Sequence, residues 1–143
     1  MSLFSALSVS ASGMAAQRTR AELLTENLAN AETTRTPEGG PYRRKDVVFQ
    51  PTAAGSPFSS AMTNAMDGTG VAVSEILVDQ RDPEQRYLPG HPDAGVNGYV
   101  AYPRINPAEE MVNLMSASNG YQANVASMTA LKDMLQRSID LLK

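Results

Sequence analysis

Large apolar side chains recur at heptad spacing at both ends of this chain, and the pattern is absent from its middle. Toward the C-terminus the stripe runs Met111, Leu114, Tyr121, Val125, Met128, Leu135, Ile139 and Leu142, interrupted by Ser118 and Lys132. It opens on Asn106-Pro107-Ala108-Glu109, where Asn106 can cap free amides, Pro107 suits the first helical turn and Glu109 can reach back as in a capping box. No proline follows Pro107, so the pattern predicts one helix of about 36 residues, roughly 54 Å long. A rod of that length requires a partner. The N-terminal segment supplies one: Leu3, Leu7, Met14, Ala21, Leu24, Leu28 and Ala31 lie on a second heptad, with Ser10 and Gln17 in its polar slots and Ser2 as N-cap. This helix, expected over 3–33, must stop before Pro37 and measures about 30 residues, roughly 45 Å.

All nine prolines fall between Pro37 and Pro107, so the chain divides into an N-terminal helix over 1–36, a middle β and loop region over 37–106, and a C-terminal helix over 107–143 that pairs with the first. The expected fold is mainly α with a small β region: long terminal helices paired in coiled-coil fashion and short antiparallel strands in the middle. Val47, Val48 and Phe49 centre a strand over 42–50 that Pro51 should end. Residues 71–78, rich in β-branched and aliphatic side chains, are the clearest strand, and 98–103 are a third. These predict one small antiparallel patch leaning on the helices. Residues 52–69, rich in Ala, Ser, Gly and Thr, read as a mobile loop in which Met62 and Met66 hint at a helical turn. Residues 88–95 are rich in turn formers.

The N-terminal seam is thin. Burying a large apolar side chain contributes roughly 1.5 to 3 kcal/mol, whereas fixing each backbone residue costs about 1 to 2 kcal/mol, and only Leu3, Leu7, Met14, Leu24 and Leu28 are large on that seam. The segment is therefore expected to be poorly ordered in a free monomer. Phe4, Val9, Ala11, Ala15, Ala16 and Leu23 on one helix, and Leu131, Met134 and Leu141 on the other, lie off the seams. They imply contacts on a second face, although a helix turned into an ordinary globular core would hide them as well. Arg18 and Glu22, like Asp133 and Arg137, are spaced as surface ion pairs.

Chemistry is sparse. The formal net charge of −3, with both signs interspersed, gives no electrostatic reason to bind nucleic acid or an acidic membrane. The one basic run, Arg43-Arg44-Lys45, reads as a solvated strand edge, with an acidic-partner or phosphate contact as the alternative. There is no cysteine, hence no disulfide and no thiolate metal site. His91 is the sole histidine and sits in a turn, short of the three or four ligands that a metal needs. Glu109 and Glu110, adjacent in the first helical turn, read as dipole and cap residues. Gly39-Gly40 is followed by Pro41, which has no amide to offer a phosphate. No cofactor, small-molecule substrate or enzymatic activity is expected. The first residues lack the basic and apolar regions of a cleavable signal, and no apolar run is long enough to span a bilayer.

Asn27-Leu28-Ala29-Asn30, following an N-terminal helix, resembles the signature of the axial proteins of the bacterial flagellum, the rod, hook and hook-associated subunits. Within that family, Pro37-Glu38-Gly39-Gly40-Pro41-Tyr42-Arg43-Arg44 resembles the proximal rod proteins of the basal body, as do Pro89-Gly90-His91-Pro92-Asp93, Gly98-Tyr99-Val100 and the stretch from Asn106-Pro107 to Tyr121-Gln122-Ala123-Asn124. The likeness spans nearly the whole chain. One departure is Asn119-Gly120, where relatives more usually carry a basic residue and a small one; Gly120 should weaken the helix by about 1 kcal/mol relative to alanine. The resemblance implies a structural subunit of the proximal rod, stacked helically around an export channel in the drive shaft that crosses the periplasm and carries torque to the hook. It implies partners among copies of itself and other rod proteins, and passage without cleavage through the flagellar type III export apparatus. Methionine-rich seams are usually core, but they also suit a subunit that meets non-identical neighbours.

Two other classes stay open. A soluble coiled-coil adaptor or secretion-linked chaperone would hold another protein's helix in a groove and exist as a discrete oligomer. A small enzyme would use the 79–98 loop and depend on Asp82, His91 or Asp93.

Overall fold

The computed structural model describes residues 3–52 and 70–141 of the chain. Helix α1 covers Leu3–Ala29 and helix α2 covers Pro107–Asp140, 27 and 34 residues respectively. They pack side by side and antiparallel: the end of α1 meets the start of α2 where Asn27 bonds Glu110, and further along Gln17 lies against Gly120 and Gly13 against Asn124. The expected pair of long terminal helices is present. Asn106 is the N-cap of α2, its side chain accepting from the Ala108 amide at 3.1 Å, with Pro107 next. Gly120 does not interrupt α2.

Helix α1 ends at Ala29, short of the predicted residue 33. The Asn30 amide still donates to Glu26 O, but Ala31 donates to Leu28 O and Thr33 to Asn30 O, so the last turn tightens and stops. The chain then doubles back, Tyr42 N donating to Thr33 O at 3.0 Å. Gly39 and Gly40, with φ of 92° and 77°, make the reversal in a conformation that side-chain-bearing residues disfavour.

Strand β1, Lys45–Pro51, pairs antiparallel with β2, Val71–Val78, with a bulge between Val48 and Phe49. Strand β2 falls where its composition places it. Strand β1 starts three residues later than expected and includes Pro51, tolerable at a strand's end. Strand β3, Glu84–Tyr87, pairs antiparallel with β4, Tyr99–Tyr102. Instead of one patch of three strands, the described part of the middle holds two separate two-stranded sheets. The β1–β2 hairpin packs on α1, where Ser12 Oγ accepts from the Val71 amide at 3.0 Å. The reading of Met62 and Met66 as a helical turn, and of Ser2 as a cap, lies outside the described residues.

The buried apolar set is small: Ala16, Leu24, Tyr42, Val100, Ile105 and Ala117. Among the described residues three polar side chains are buried beside it, Ser10, Asn27 and Glu110, the last two 0% and 1% exposed. A core so poor in apolar volume directs attention to its polar members. No described helix is long and apolar enough to cross a membrane.

Candidate assembly site

The three ends that must meet, the C-terminus of α1, the start of β1 and the first turn of α2, are joined by one polar junction. Asn27 is its centre. Its amide nitrogen donates to Lys45 O at 2.8 Å and to Glu110 Oε2 at 3.1 Å, while its Oδ1 accepts from Lys45 N at 2.9 Å and from the Tyr42 hydroxyl at 3.1 Å. All the hydrogen-bonding capacity of that side chain is used, as burial requires. Asn27 thus pairs with both backbone groups of Lys45, as a neighbouring strand would, and closes the outer edge of β1 at its first residue. In this way the first asparagine of the Asn27-Leu28-Ala29-Asn30 motif splices helix to strand. Asn30 serves the helix end, donating to Glu26 O at 2.9 Å and accepting from Thr33 Oγ1.

Glu110 carries the charge of the junction. Arg44 Nε donates to Glu110 Oε1 at 2.7 Å, and Arg44 Nη1 reaches Asp46 Oδ2 at 3.1 Å. Burial works against the Arg44 cation, yet its hydrogen bonds to Glu110 and Asp46 outweigh that and raise its pKa above the ordinary arginine value. Lys45 Nζ pairs with Glu26 Oε1 at 2.6 Å and lies over the Tyr42 ring, 5.6 Å from its centroid. Burial first, then the nearby Glu26 and Glu110 carboxylates, holds the Tyr42 hydroxyl well above its ordinary pKa. The basic run is therefore not simply a solvated edge: Arg44 and Lys45 bond inward, and only Arg43 lies on the exposed side, donating to Asp79 O at 2.9 Å. Likewise Glu110 is not merely a helix-dipole residue, because it is buried between two elements, whereas Glu109 is exposed.

Away from the junction the helices meet through small and polar positions. A Cβ added to Gly13 would stand 3.0 Å from the Asn124 amide, and one on Gly120 would stand 3.1 Å from Gln17 Cδ. Ala117 is fully buried. The covered stripe of α2 runs through Glu110, Ala117, Asn124 and Leu131, together with Leu114, Met128 and Leu135. Compared with the heptad drawn through Met111, Ser118, Val125 and Lys132, half of the seam is displaced by one residue. Gly13, Ala117 and Gly120 let the backbones approach, and Arg44 with Asn27 draws Glu110 inward. Together these turn α2 about its axis. Leu24 is buried, Leu7, Met14 and Leu28 are half-covered, and Leu3 opens α1. Leu142 lies outside the described residues.

Large apolar side chains face outward, some from the predicted heptad and some beside it. Met111, Val112, Met115, Tyr121, Val125, Met134 and Ile139 are each between 41% and 60% exposed, and Leu141 and Phe4 more so. Single exposed apolar residues mean little, but a run along one helix marks a surface suited to association.

Elsewhere the motif residues brace turns. The Thr36 and Gly40 ends of the Pro37-Gly39-Gly40-Pro41 turn are tied by the Thr36 amide donating to Gly40 O at 2.8 Å. His91 Nδ1 accepts from the Asp93 amide at 3.1 Å, and Thr34 Oγ1 donates to Asp93 Oδ2 at 2.8 Å, so the sole histidine stabilises a turn docked on the end of α1. Asp79 is held down to about 2 by side-chain hydrogen bonds from Arg81. Among the described residues no group of three histidines and carboxylates could hold a metal.

Residues 96–141 match the family described as flagellar basal body rod FlgEFG protein, C-terminal. Over its full length the chain is 42% identical to the flagellar basal-body rod protein FlgC of Bacillus subtilis, across 152 aligned positions covering 100% of both. It is 37% identical to the protein of the same name from Borreliella burgdorferi, covering 100% of this chain and 99% of that one. With the Salmonella typhimurium FlgC it shares 38% identity, over 99% and 98% of the two chains. Likeness of this degree along the whole chain, on a fold of paired terminal helices locked by the first asparagine of its signature motif, means that the chain belongs to the FlgC family of flagellar basal-body rod proteins.

Proposed function

We propose that this chain is a structural subunit of the proximal rod of the flagellar basal body, polymerising helically into the drive shaft that crosses the periplasm, transmits torque and encloses the export channel. The observation that carries the reading is the division of labour on α2. Glu110, Ala117, Gly120 and Asn124 take up much of the face turned to α1, beside Leu114, Met128, Leu131 and Leu135, while Met111, Val112, Met115, Val125, Met134 and Ile139 remain uncovered for neighbours. A subunit that is complete alone would bury its largest side chains first. Heterologous contacts repeated from copy to copy build an open helical tube, and load is then shared over many helix contacts. Partners are copies of this chain and other rod proteins. Delivery through the flagellar type III export apparatus without cleavage accords with this role, which is mechanical rather than catalytic.

The test is complementation of a strain lacking this protein. Val125→Asp and Ile139→Asp should abolish rod assembly and motility while leaving the purified chain as helical as wild type; His91→Ala should leave both functions intact. Assembled rods containing Val125→Asp at normal abundance would sink the reading.

A further inference from the structure

The tripeptide Asn-Gly-Tyr occurs twice, at 97–99 and at 119–121. Asparagine before glycine is prone to lose its side-chain amide, because glycine carries no side chain to shield its nitrogen from the asparagine carbonyl carbon. Both asparagines are exposed and both have the same two residues after them, so their intrinsic chemistry is alike. Their backbones differ. Asn119 and Gly120 lie in the interior of α2, where Gly120 packs against Gln17 and the helix holds the glycine nitrogen away from the asparagine side-chain carbon. Asn97 lies in the turn that leads into β4, next to the fully exposed Val96, and its side chain has no hydrogen-bond partner among the described residues. The Gly98 amide donates to Gly95 O at 2.9 Å, and this bond must open before the nitrogen can react. A single turn bond beside a two-stranded sheet opens far more readily than the interior of a 34-residue helix.

We propose that Asn97 is a site of spontaneous deamidation and that its isoaspartyl product unlatches the β3–β4 hairpin. The Gly98 nitrogen gives its proton to solvent and bonds to the Asn97 side-chain carbonyl carbon. The bond from that carbon to the side-chain nitrogen breaks, and the nitrogen leaves as ammonia, taking a proton from water. Water then adds to a carbonyl of the succinimide, the ring C–N bond breaks and the nitrogen regains its proton. Opening at the side-chain carbonyl leaves an aspartyl residue, and opening at the main-chain carbonyl leaves an isoaspartyl one. Water is consumed, ammonia is released and no redox partner is needed. The isoaspartyl link routes the main chain through the side-chain methylene and so lengthens it by a carbon. Gly98 has little room to absorb the insertion: its φ is 74°, and even a Cβ there would stand 2.9 Å from Tyr87 Cε2. The bonds beside it, from Leu88 N to Gly98 O and from Gly95 N to Tyr99 O, each 2.9 Å, should open, with the Tyr87–Tyr99 ring contact. This inference does not depend on the rod reading.

The experiment incubates the folded full-length chain at neutral and mildly alkaline pH and follows amide-to-acid conversion by peptide mass spectrometry. Position 97 should convert at least about tenfold faster than position 119, and faster still in alkali, because the attacking nitrogen must shed its proton. In urea, where the helix is gone, the two rates should converge. Conversion at 97 no faster than at 119 in the folded chain overturns the site. Amide exchange then tests the consequence on the separated isoaspartyl fraction. The Leu88 and Gly95 amides should exchange faster there than in fresh wild type, and remain protected in Asn97→Gln aged in the same way. Asn97→Asp carries the new charge without the added carbon and should match fresh wild type. Equal protection in the isoaspartyl fraction and fresh wild type, or lost protection in Asn97→Asp, overturns the unlatching.

Discussion

One end of the helix pair and its middle are held by opposite means. Where α1 finishes and α2 begins, contact is directional: Asn27, Tyr42, Arg44, Lys45 and Glu110 exchange hydrogen bonds of 2.7 to 3.1 Å, and most of their polar atoms have a named partner. Halfway along, at Gly13, Gln17, Ala117, Gly120 and Asn124, contact is a matter of close approach between slender surfaces, and Gln17 Oε1 is buried there with no partner among the described residues. Hydrogen bonds with fixed geometry set an angle and a register; small residues permit proximity but do not choose between neighbouring registers. The junction therefore determines how the helices align, and the middle of the pair follows.

The sharpest way to break that contrast is Arg44→Met. It leaves Glu110, the most deeply buried charge, with only Asn27, and stability should fall by about 3 kcal/mol in urea unfolding, toward the lower end for a broken buried pair because Asn27 remains. Glu110→Gln together with Arg44→Met should cost less than the sum of the single changes. An additive cycle would mean that the pair does not act as a unit. At the slender middle, Gly120→Leu must push past Gln17 and should cost about 1 to 3 kcal/mol by overpacking. Amide exchange should then loosen residues 113–124 while the Asn27 end stays protected.

Tyr42→Phe should cost about 1 kcal/mol, since Asn27 Oδ1 keeps its bond from Lys45 N. It also alters the response to alkali. The folded chain keeps the Tyr42 proton to higher pH than the unfolded chain, whose tyrosine titrates near 10.0, so the stabilisation is complete below 10.0 and is lost as pH rises toward the folded value. Wild-type stability should decline more steeply than that of Tyr42→Phe above pH 10.0. Parallel curves would contradict the burial of that hydroxyl. Smallest of all, Met111→Gln on the outward face should change the stability of the isolated chain by no more than about 0.5 kcal/mol. Its effect belongs to assembly.

Periodicity and capping read the local elements well because both are local physics: Asn106, Pro107 and the run without helix breakers suffice to place α2, and β-branched density places β2. The junction is different. Glu110 lies 83 residues from Asn27 and 66 from Arg44, and in sequence it looks like any acid in a first helical turn. Asn27 and Arg44 stand in two separate family motifs, and nothing in the sequence joined them. The one-residue displacement of the seam has a similar origin: heptads rank side chains by apolarity, whereas this interface selects for slenderness at Gly13, Ala117 and Gly120 and leaves Met111, Met115 and Met134 outside. Strand β3 carries no apolar alternation in Glu84-Gln85-Arg86-Tyr87. It exists through its ladder with β4, the Tyr87–Tyr99 edge contact and Arg86 over the Tyr102 ring at 4.6 Å. Apolar residues on a second face of each helix were visible at once, but their meaning depended on knowing which face its partner already occupied.

The hydrogen bonds of the Asn27 amide also keep different time. Its bonds to Lys45 close a loop of 18 residues, whereas its bond to Glu110 closes one of 83. The entropy of closure rises with the logarithm of loop length, and non-local contacts are correspondingly slow to form. By that measure the splice between helix and strand should form early in folding and the docking of α2 late. A chain built in this order stays open along most of its length until its last third docks.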